Sequence, residues 1–291
     1  MTNRAVGRSI NGMAERFRER LEAPGPIVLP GCHDVLSSIL SQEAGFEAIF
    51  LSGYGVAASH LGNPDIGLTT LTETSQVAKN VVSAVDVPVV VDVDNGYGNE
   101  ENVGRTIYEM EAAGVAAIQL EDQIFPKRCG HSEGKKVLPA PIFLKKLESA
   151  LKARQTPLCI IARTDSTDLD DAIARARDFL SAGAEAVIID GLRGMEAIER
   201  VRREVRGHKQ LNLIYGGKTP LLSVPEVAEL GFKILLYSTP ALYVMTRCLR
   251  EWLPVLRKSG DLRSISDVSV AFEEFQTMIE RSYKSRRLFQ K

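Results

Sequence analysis

The chain has 291 residues, 44% of them hydrophobic and 25% charged, with a formal net charge of -1. That length suits two average domains or one α/β barrel, and the composition is that of an ordinary soluble globular protein. A balance this close to neutral excludes a global field for nucleic acid or an anionic membrane, so an anionic substrate must be held by local cations, a metal or helix ends.

In chain order, residues 1–23 are polar and basic, with a weak amphipathic pattern at Met13, Phe17 and Leu21. They predict a short helix lying on the body of the protein. The stretch lacks the apolar core of a signal peptide, and no apolar run approaches the roughly 18–20 residues of a membrane span, so a cytoplasmic protein is expected. Pro24, Gly25 and Pro26 break the helix and set residues 1–25 apart. Ile27 to Leu29 then reads as a first strand, followed by PGCHD and a helix to Ala44. The 4 cysteines, Cys32, Cys129, Cys159 and Cys248, form no CxxC pair and no disulfide framework. Cys32, Cys159 and Cys248 sit beside apolar residues and are expected in the core.

An internal repeat follows. AGFEAIFL from Ala44, AGVAAIQL from Ala113, AGAEAVII from Ala182 and LGFKILLY from Leu230 share one design, a helix ending at Gly and then a strand of branched residues. Gly there supplies a left-handed helix cap. Strands apolar on both faces imply a parallel sheet covered by helices. Ile27–Leu29, Val87–Val93, Leu158–Arg163 and Leu211–Tyr215 fill the gaps and make eight strands, each followed by a helix-like segment. Eight such units close into a (β/α)8 barrel, here over residues 26–240. An open doubly wound sheet is the alternative, but no Gly-rich phosphate fingerprint follows the first strand.

Barrel chemistry sits at the C-terminal ends of strands. Those ends carry Ser52-Gly53-Tyr54, Asp92 to Gly98, Glu121-Asp122, Arg163-Thr164-Asp165, Asp190, and Asn212 to Tyr215 before Gly216-Gly217-Lys218. Charge clustered at one rim above apolar strands implies a cation, since a buried charge is costly unless paired or metal-bound. All-oxygen ligation suits Mg²⁺. Helix capping explains Asp165 well enough, but Asp92 and Asp94 lie two apart and so share one side of an extended strand. After Glu121 and Asp122 the loop carries Lys127, Arg128, Cys129 and His131, with Gly130 and Gly134 to turn the backbone. Two cations, a thiol and an imidazole beyond a strand end suggest an active-site loop.

The set LSGYG, NPDIG, VDVDNGYGN, LEDQ, PKRCGH, ARTD and GGKTP, in that order from about Leu29 to Tyr237, resembles the isocitrate lyase and phosphoenolpyruvate mutase superfamily. It is most similar to the small members, the 2-methylisocitrate and dimethylmalate lyases, oxaloacetate acetylhydrolases and carboxyphosphonoenolpyruvate phosphonomutases. The resemblance implies Mg²⁺ (Mn²⁺ as a substitute), a small anionic carboxylate substrate, and a dimer or tetramer whose last helices, residues 241–291, reach a neighbouring subunit. By the same resemblance Asp92, and through water Asp94 and Glu121, form the metal shell. Ser52, Gly53 and Tyr54 cradle a carboxylate with their backbone. Arg163 neutralises substrate oxygens, and Asp65 stands at the rim. Lys127, Arg128, Cys129, Gly130 and His131 form a gating loop, and Asn212 and Thr219 bind a second carboxylate or a phosphonate.

Three positions depart from the family pattern. Asp190 stands where Glu is usual, Gln119 where many members have His, and Tyr215 where most have Glu. A phenol cannot replace a carboxylate's charge. The expected reaction is cleavage of a 2-hydroxy di- or tricarboxylate to a 2-oxo acid and an enolate. Cys129 would return a proton to the enolate, with Lys127 and Arg128 stabilising its thiolate, and His131 fixing the loop. Tyr215 is an acid–base group or a pocket wall. Phosphonomutase chemistry and a non-catalytic paralogue are the alternatives. In the tail, Trp252, Leu253, Val255 and Leu256 exceed the apolar needs of a lone helix, and the segment from Arg281 to Lys291 is basic.

Overall fold

A computed structural model describes residues 12–285. Eight parallel strands, β1 (Ile27–Cys32), β2 (Ile49–Leu51), β3 (Val89–Asp92), β4 (Ala117–Glu121), β5 (Cys159–Thr164), β6 (Ala186–Ile189), β7 (His208–Leu213) and β8 (Ile234–Tyr237), close in sequential order, with β8 pairing back to β1. The fold is therefore a (β/α)8 barrel. Helix α1 (Gly12–Glu22) precedes it. Then come α2 (Val35–Glu43), α3 (Gly53–Val56), α4 (Leu71–Ala84), α5 (Glu100–Ala112), α6 (Ala140–Ala153), α7 (Leu169–Ala182), α8 (Gly194–Glu204), α9 (Val224–Glu229), α10 (Pro240–Ser259) and α11 (Phe272–Ser285).

Local chemistry explains the helix limits. Asp34, Thr70, Asn99, Asp168 and Ser223 accept from first-turn amides and start α2, α4, α5, α7 and α9. The repeat glycines, among them Gly45 (φ 90°) and Gly183 (φ 113°), take the left-handed conformation just beyond α2 and α7. Each repeat thus turns its chain from helix to strand without a steric penalty.

The apolar residues divide into two layers. Leu29, Phe50, Val90, Ile161, Ile188 and Leu236 pack inside the barrel, and Phe17 and Leu21 of α1 join them. Helix α1 is thus part of the barrel core rather than an appendage; the remainder of the predicted N-terminal helix, residues 1–11, lies outside the described residues. A larger layer fills the space between barrel and helices, where the rings of Phe143 and Phe179 stand 4.7 Å apart.

Some boundaries differ from the expected ones. Strand β7 begins at His208 and ends at Leu213, so Tyr215 lies in the loop beyond it. Lys209 and Gln210, outside the expected strand, belong to it and are buried. Cys248 is exposed on α10, whereas Cys32 and Cys159 are buried as expected. Helix α10 buries Leu242 and exposes Val244, Leu249, Leu253 and Val255. Helix α11 rests on its own barrel through Met278 and Ile279, and Ser282 donates to the Ala84 carbonyl. The last residues of the basic tail, 286–291, lie outside the described residues. Among the described residues no helix is long and apolar enough to cross a membrane.

Phe17 is fully buried at the closed end of the barrel. Phe17→Ala should cost about 3–5 kcal/mol through lost burial and the cavity left behind. A urea or thermal melt of the full chain reads this as a clear loss of stability, and an unchanged melt would show that α1 does not close the barrel.

Candidate active site

Strand ends from seven of the eight barrel units meet around a cavity of about 310 Å³. Its lining includes Ser52 and Tyr54 after β2, Asp92 of β3, Gln119 of β4, Arg163 of β5, Asp190 after β6, and Asn212 of β7. Asp65 and the loop residues Cys129, Gly130 and His131 complete it, with Tyr215 at the outer edge.

Arg163 is the hub. Its Nε lies 2.8 Å from Asp165 Oδ2 and 3.4 Å from Glu121 Oε2, and its Nη2 lies 2.9 Å from Asp190 Oδ2. Lys135, which sequence reasoning passed over, reaches Asp165 Oδ1 at 2.8 Å. Asp165 is therefore a charge partner and not a helix cap; the cap of α7 is Asp168. Burial pushes Asp190 and Asp165 up, but Arg163 together with Lys135, and at Asp190 His131, outweighs it and holds both below the usual carboxylate range.

The other acids are under-compensated. Asp92 and Glu121 are almost fully buried, and burial raises both carboxyls despite Lys127 and Arg163. Asp94 is pushed up to about 6, again chiefly by burial. Both oxygens of Glu121 are buried with no hydrogen-bond partner. Asp65, Asp92, Asp94, Glu121, Asp165 and Asp190 thus share three close cations, Lys127, Lys135 and Arg163. Such a donor set fits a divalent cation of the hard, oxygen-loving kind. Among the described residues no three acid, histidine or cysteine groups converge tightly enough to ligate an ion unaided. One or two carboxylates completed by water meets that limit.

Asp92 and Asp94 do not lie on one face of a strand. Strand β3 stops at Asp92, and Asp94 takes φ 48°, so a turn brings the carboxylates together, with the Asp94 amide donating to Asp92 Oδ1 at 3.1 Å. A Cβ on Gly53 would stand 3.0 Å from Asp92 Oδ2, so glycine lets the backbone after β2 approach the acids. The Ser52 amide is already bonded to the Cys32 carbonyl, because strand pairing between β1 and β2 uses it. The Gly53 and Tyr54 amides open α3 and have no partner within it, which leaves them to meet a carboxylate.

The loop after β4 divides its cations differently from their order in sequence. Lys127 is buried beneath the cavity, 2.7 Å from Asp65 Oδ1 and 2.5 Å from Asp94 Oδ1. Arg128 is exposed outside the lining; its backbone is clamped by the Gln123 amide at 2.9 and 2.7 Å. Gln123 was missed because a neutral side chain beside LED carries no signal by itself. Cys129 is thus without the expected cationic neighbours, and burial raises its thiol instead of their lowering it. His131 Nδ1 accepts from the Lys218 amide at 3.0 Å, and its Nε2 lies 3.6 Å from Asp190 Oδ1. Asn212 donates to Asp190 at 2.9 Å and accepts from Ser238 at 2.5 Å, so its amide is committed to the protein. Ser238 also lines the cavity and was not foreseen, being a short polar residue at the end of an apolar strand. Thr219 is buried but does not line the cavity, whose lining on this side ends at Lys218. Tyr215 is 82% exposed at the rim.

A family model for phosphoenolpyruvate phosphomutase matches residues 17–253. The chain belongs to that family of lyases and mutases. It is 38% identical over 270 residues to 2,3-dimethylmalate lyase of Eubacterium barkeri, covering 91% of this chain and 93% of that protein. It is 37% identical to the chloroplastic carboxyvinyl-carboxyphosphonate phosphorylmutase of Arabidopsis thaliana, over 96% of this chain and 85% of that one. Its fold is similar to that of oxaloacetate acetylhydrolase in complex with 3,3-difluorooxalacetate, with TM-score 0.89 and 30% identity over 94% of this chain and 95% of that one.

Within this phosphomutase-family barrel, Gly130 is the point at which the loop meets the hub. A Cβ there would lie 1.8 Å from Asp190 Oδ2 and 2.3 Å from Arg163 Nη2. The loop is seated on the ion pair only because residue 130 has no side chain. Gly130→Ala should leave the barrel's melting temperature nearly unchanged but lift the loop. Hydrogen exchange of residues 127–136 should accelerate by an order of magnitude or more, as expected for a segment of reduced local stability. Exchange equal to that of the unaltered chain would show that the loop is not seated there.

Proposed function

We propose that the protein is a Mg²⁺-dependent carbon–carbon lyase that cleaves a 2-hydroxy di- or tricarboxylate, of 2-alkylmalate or 2-methylisocitrate type, to a 2-oxo acid and a carboxylate. One observation carries this reading. A thiol that burial raises, that of Cys129, faces the same cavity as Arg163 and the under-compensated Asp92. Asp92, with Glu121 and Asp94 through water, would hold Mg²⁺, which supplies Lewis-acid stabilisation of the 2-oxo acid oxygens. The Gly53 and Tyr54 amides orient the carboxylate, and Arg163 offsets charge on substrate oxygens in a site from which the seated loop excludes water. A base takes the 2-hydroxyl proton, the C2–C3 bond breaks as the C2 oxygen becomes the 2-oxo group, and the bond's electron pair leaves on C3 as a carbanion stabilised as an enolate. Cys129 Sγ gives its proton to that carbon, and the resulting thiolate recovers a proton when the loop opens. Asp65 orients Lys127 beneath this face, His131 holds the loop to the β7 turn, and Tyr215 forms the outer wall.

The proton on Cys129 fixes the expected pH dependence. Its thiol is raised, so the donor form persists through neutral pH and is lost only as pH rises through a value above that of an ordinary thiol. Turnover should fall on that alkaline limb, and Cys129→Ser should lower it by about 10²–10⁴-fold at neutral pH. The assay is release of pyruvate or glyoxylate from a panel of 2-alkylmalates and 2-methylisocitrate with Mg²⁺. No 2-oxo acid from any member, or near-normal release by Cys129→Ser, would remove the proposal.

Similarity to the Arabidopsis phosphorylmutase supports a second reading, transfer of a phosphorus group on an enolpyruvate. That chemistry protonates no carbanion, so indifference to Cys129→Ser would favour it.

The exposed apolar residues of α10 support assembly into a dimer or tetramer in which α10 reaches a neighbouring copy, while α11 packs on its own barrel. The free cysteines suit the reducing cytoplasm. Light scattering should give a multiple of the monomer mass at micromolar concentration; the mass of a single chain would overturn the assembly.

A further inference from the structure

Below the charged rim, the barrel interior contains a polar pair that the proposed chemistry does not use. Gln119 of β4 and Gln210 of β7 are each 1% exposed and lie across the barrel from one another. Gln210 Nε2 donates to Gln119 Oε1 at 2.7 Å. Three of their four ladder neighbours are apolar: Gln119 stands between Ile161 and Asp92, and Gln210 between Ile188 and Ile234. Gln210 Oε1 is buried without a partner. Two amides in an apolar interior, one left partly unsatisfied, are worse for stability than two aliphatic side chains would be.

What the pair achieves is orientation. A primary amide has one oxygen acceptor and two N–H donors on nitrogen. Gln210 occupies the Gln119 oxygen, so the Gln119 amide cannot rotate without breaking that bond. Among the described residues no acceptor bonds to Gln119 Nε2. Gln119 lines the cavity, whereas Gln210 does not, and Gln119 stands beside Asp92 in the β3–β4 ladder. The nitrogen is therefore the part of the amide left to face the site.

We propose that Gln119, held in one orientation by Gln210, donates a neutral hydrogen bond to a carboxylate or 2-oxo oxygen of the substrate at the cavity floor. Gln119 is a specificity-determining contact and Gln210 a positioning residue. Unlike an imidazole at that place, the amide donates at every pH and never competes for a proton. This rests on the reading that the cavity binds a 2-oxo acid.

The test is calorimetric titration of the full chain with Mg²⁺ alone and then with oxalate at saturating Mg²⁺. Gln119→Leu should weaken oxalate binding by about 10- to 100-fold, the usual effect of losing a donor to a charged acceptor, and leave Mg²⁺ binding alone unchanged. Gln210→Leu should weaken oxalate less. The double variant should bind as Gln119→Leu does, because Gln210 acts only through Gln119. Melting temperatures at or above that of the parent would separate this from a structural role, and Gln119→Met serves if the Leu variant fails to fold. Oxalate affinity unchanged in either Gln119 variant, additive losses in the double variant, or no oxalate binding by the parent would each overturn the inference. Oxalate binding by a parent that releases no 2-oxo acid would remove the lyase reading alone.

Discussion

The buried guanidinium of Arg163 is the interaction on which the site depends. It touches acids delivered by three successive units of the barrel: Glu121 from β4, Asp165 just after β5 and Asp190 just after β6. Removing one member of such a network leaves the others charged and unpaired in a low-dielectric interior, a strongly destabilising change. The loop after β4 depends on it as well, since the Gly130 backbone rests on the Arg163–Asp190 pair and Lys135 ties the far end of the loop to Asp165. Loop closure and rim electrostatics are thus one arrangement.

Burial sorts the remaining ionisable groups by environment. Asp165 and Asp190, which Arg163 meets at 2.8 and 2.9 Å with help from Lys135, stay ionised; Glu121, 3.4 Å from Arg163 and without a hydrogen-bond partner, is raised by burial, as are Asp92 and Asp94, and these three favour a cation. Cys129 is raised for the same reason, which favours the protonated thiol that the proposed acid role requires. Asp92, Asp190 and Cys129, one of each kind, line the same cavity.

The run KRCGH shows why adjacency in sequence misleads about electrostatics. Lys127 precedes Cys129 by two positions but is drawn under the cavity by Asp65 and Asp94, and Arg128 is turned out to solvent. The expected low thiol pKa assumed that neighbours along the chain are neighbours in space. On an irregular loop clamped by Gln123 they are not. The pairing of Asp92 with Asp94 was anticipated for the wrong reason, since a left-handed turn and not strand pleat brings them together.

The sequence by itself determined the barrel. The Gly-terminated helix and branched strand recur because each βα unit must bury the same two surfaces and make the same turn, and that requirement is local enough to be visible in eight-residue stretches. It also determined which strand ends carry charge, hence Asp92, Glu121, Arg163 and Asp190 at the rim. Only the tertiary structure decided which charges neutralise one another, that Thr219 falls outside the cavity while Ser238 and Lys135 serve it, and that Gln119 is aimed by Gln210. Those two glutamines are 91 residues apart in the chain and 2.7 Å apart across the barrel. No local pattern encodes such a contact, because closure of the sheet creates it.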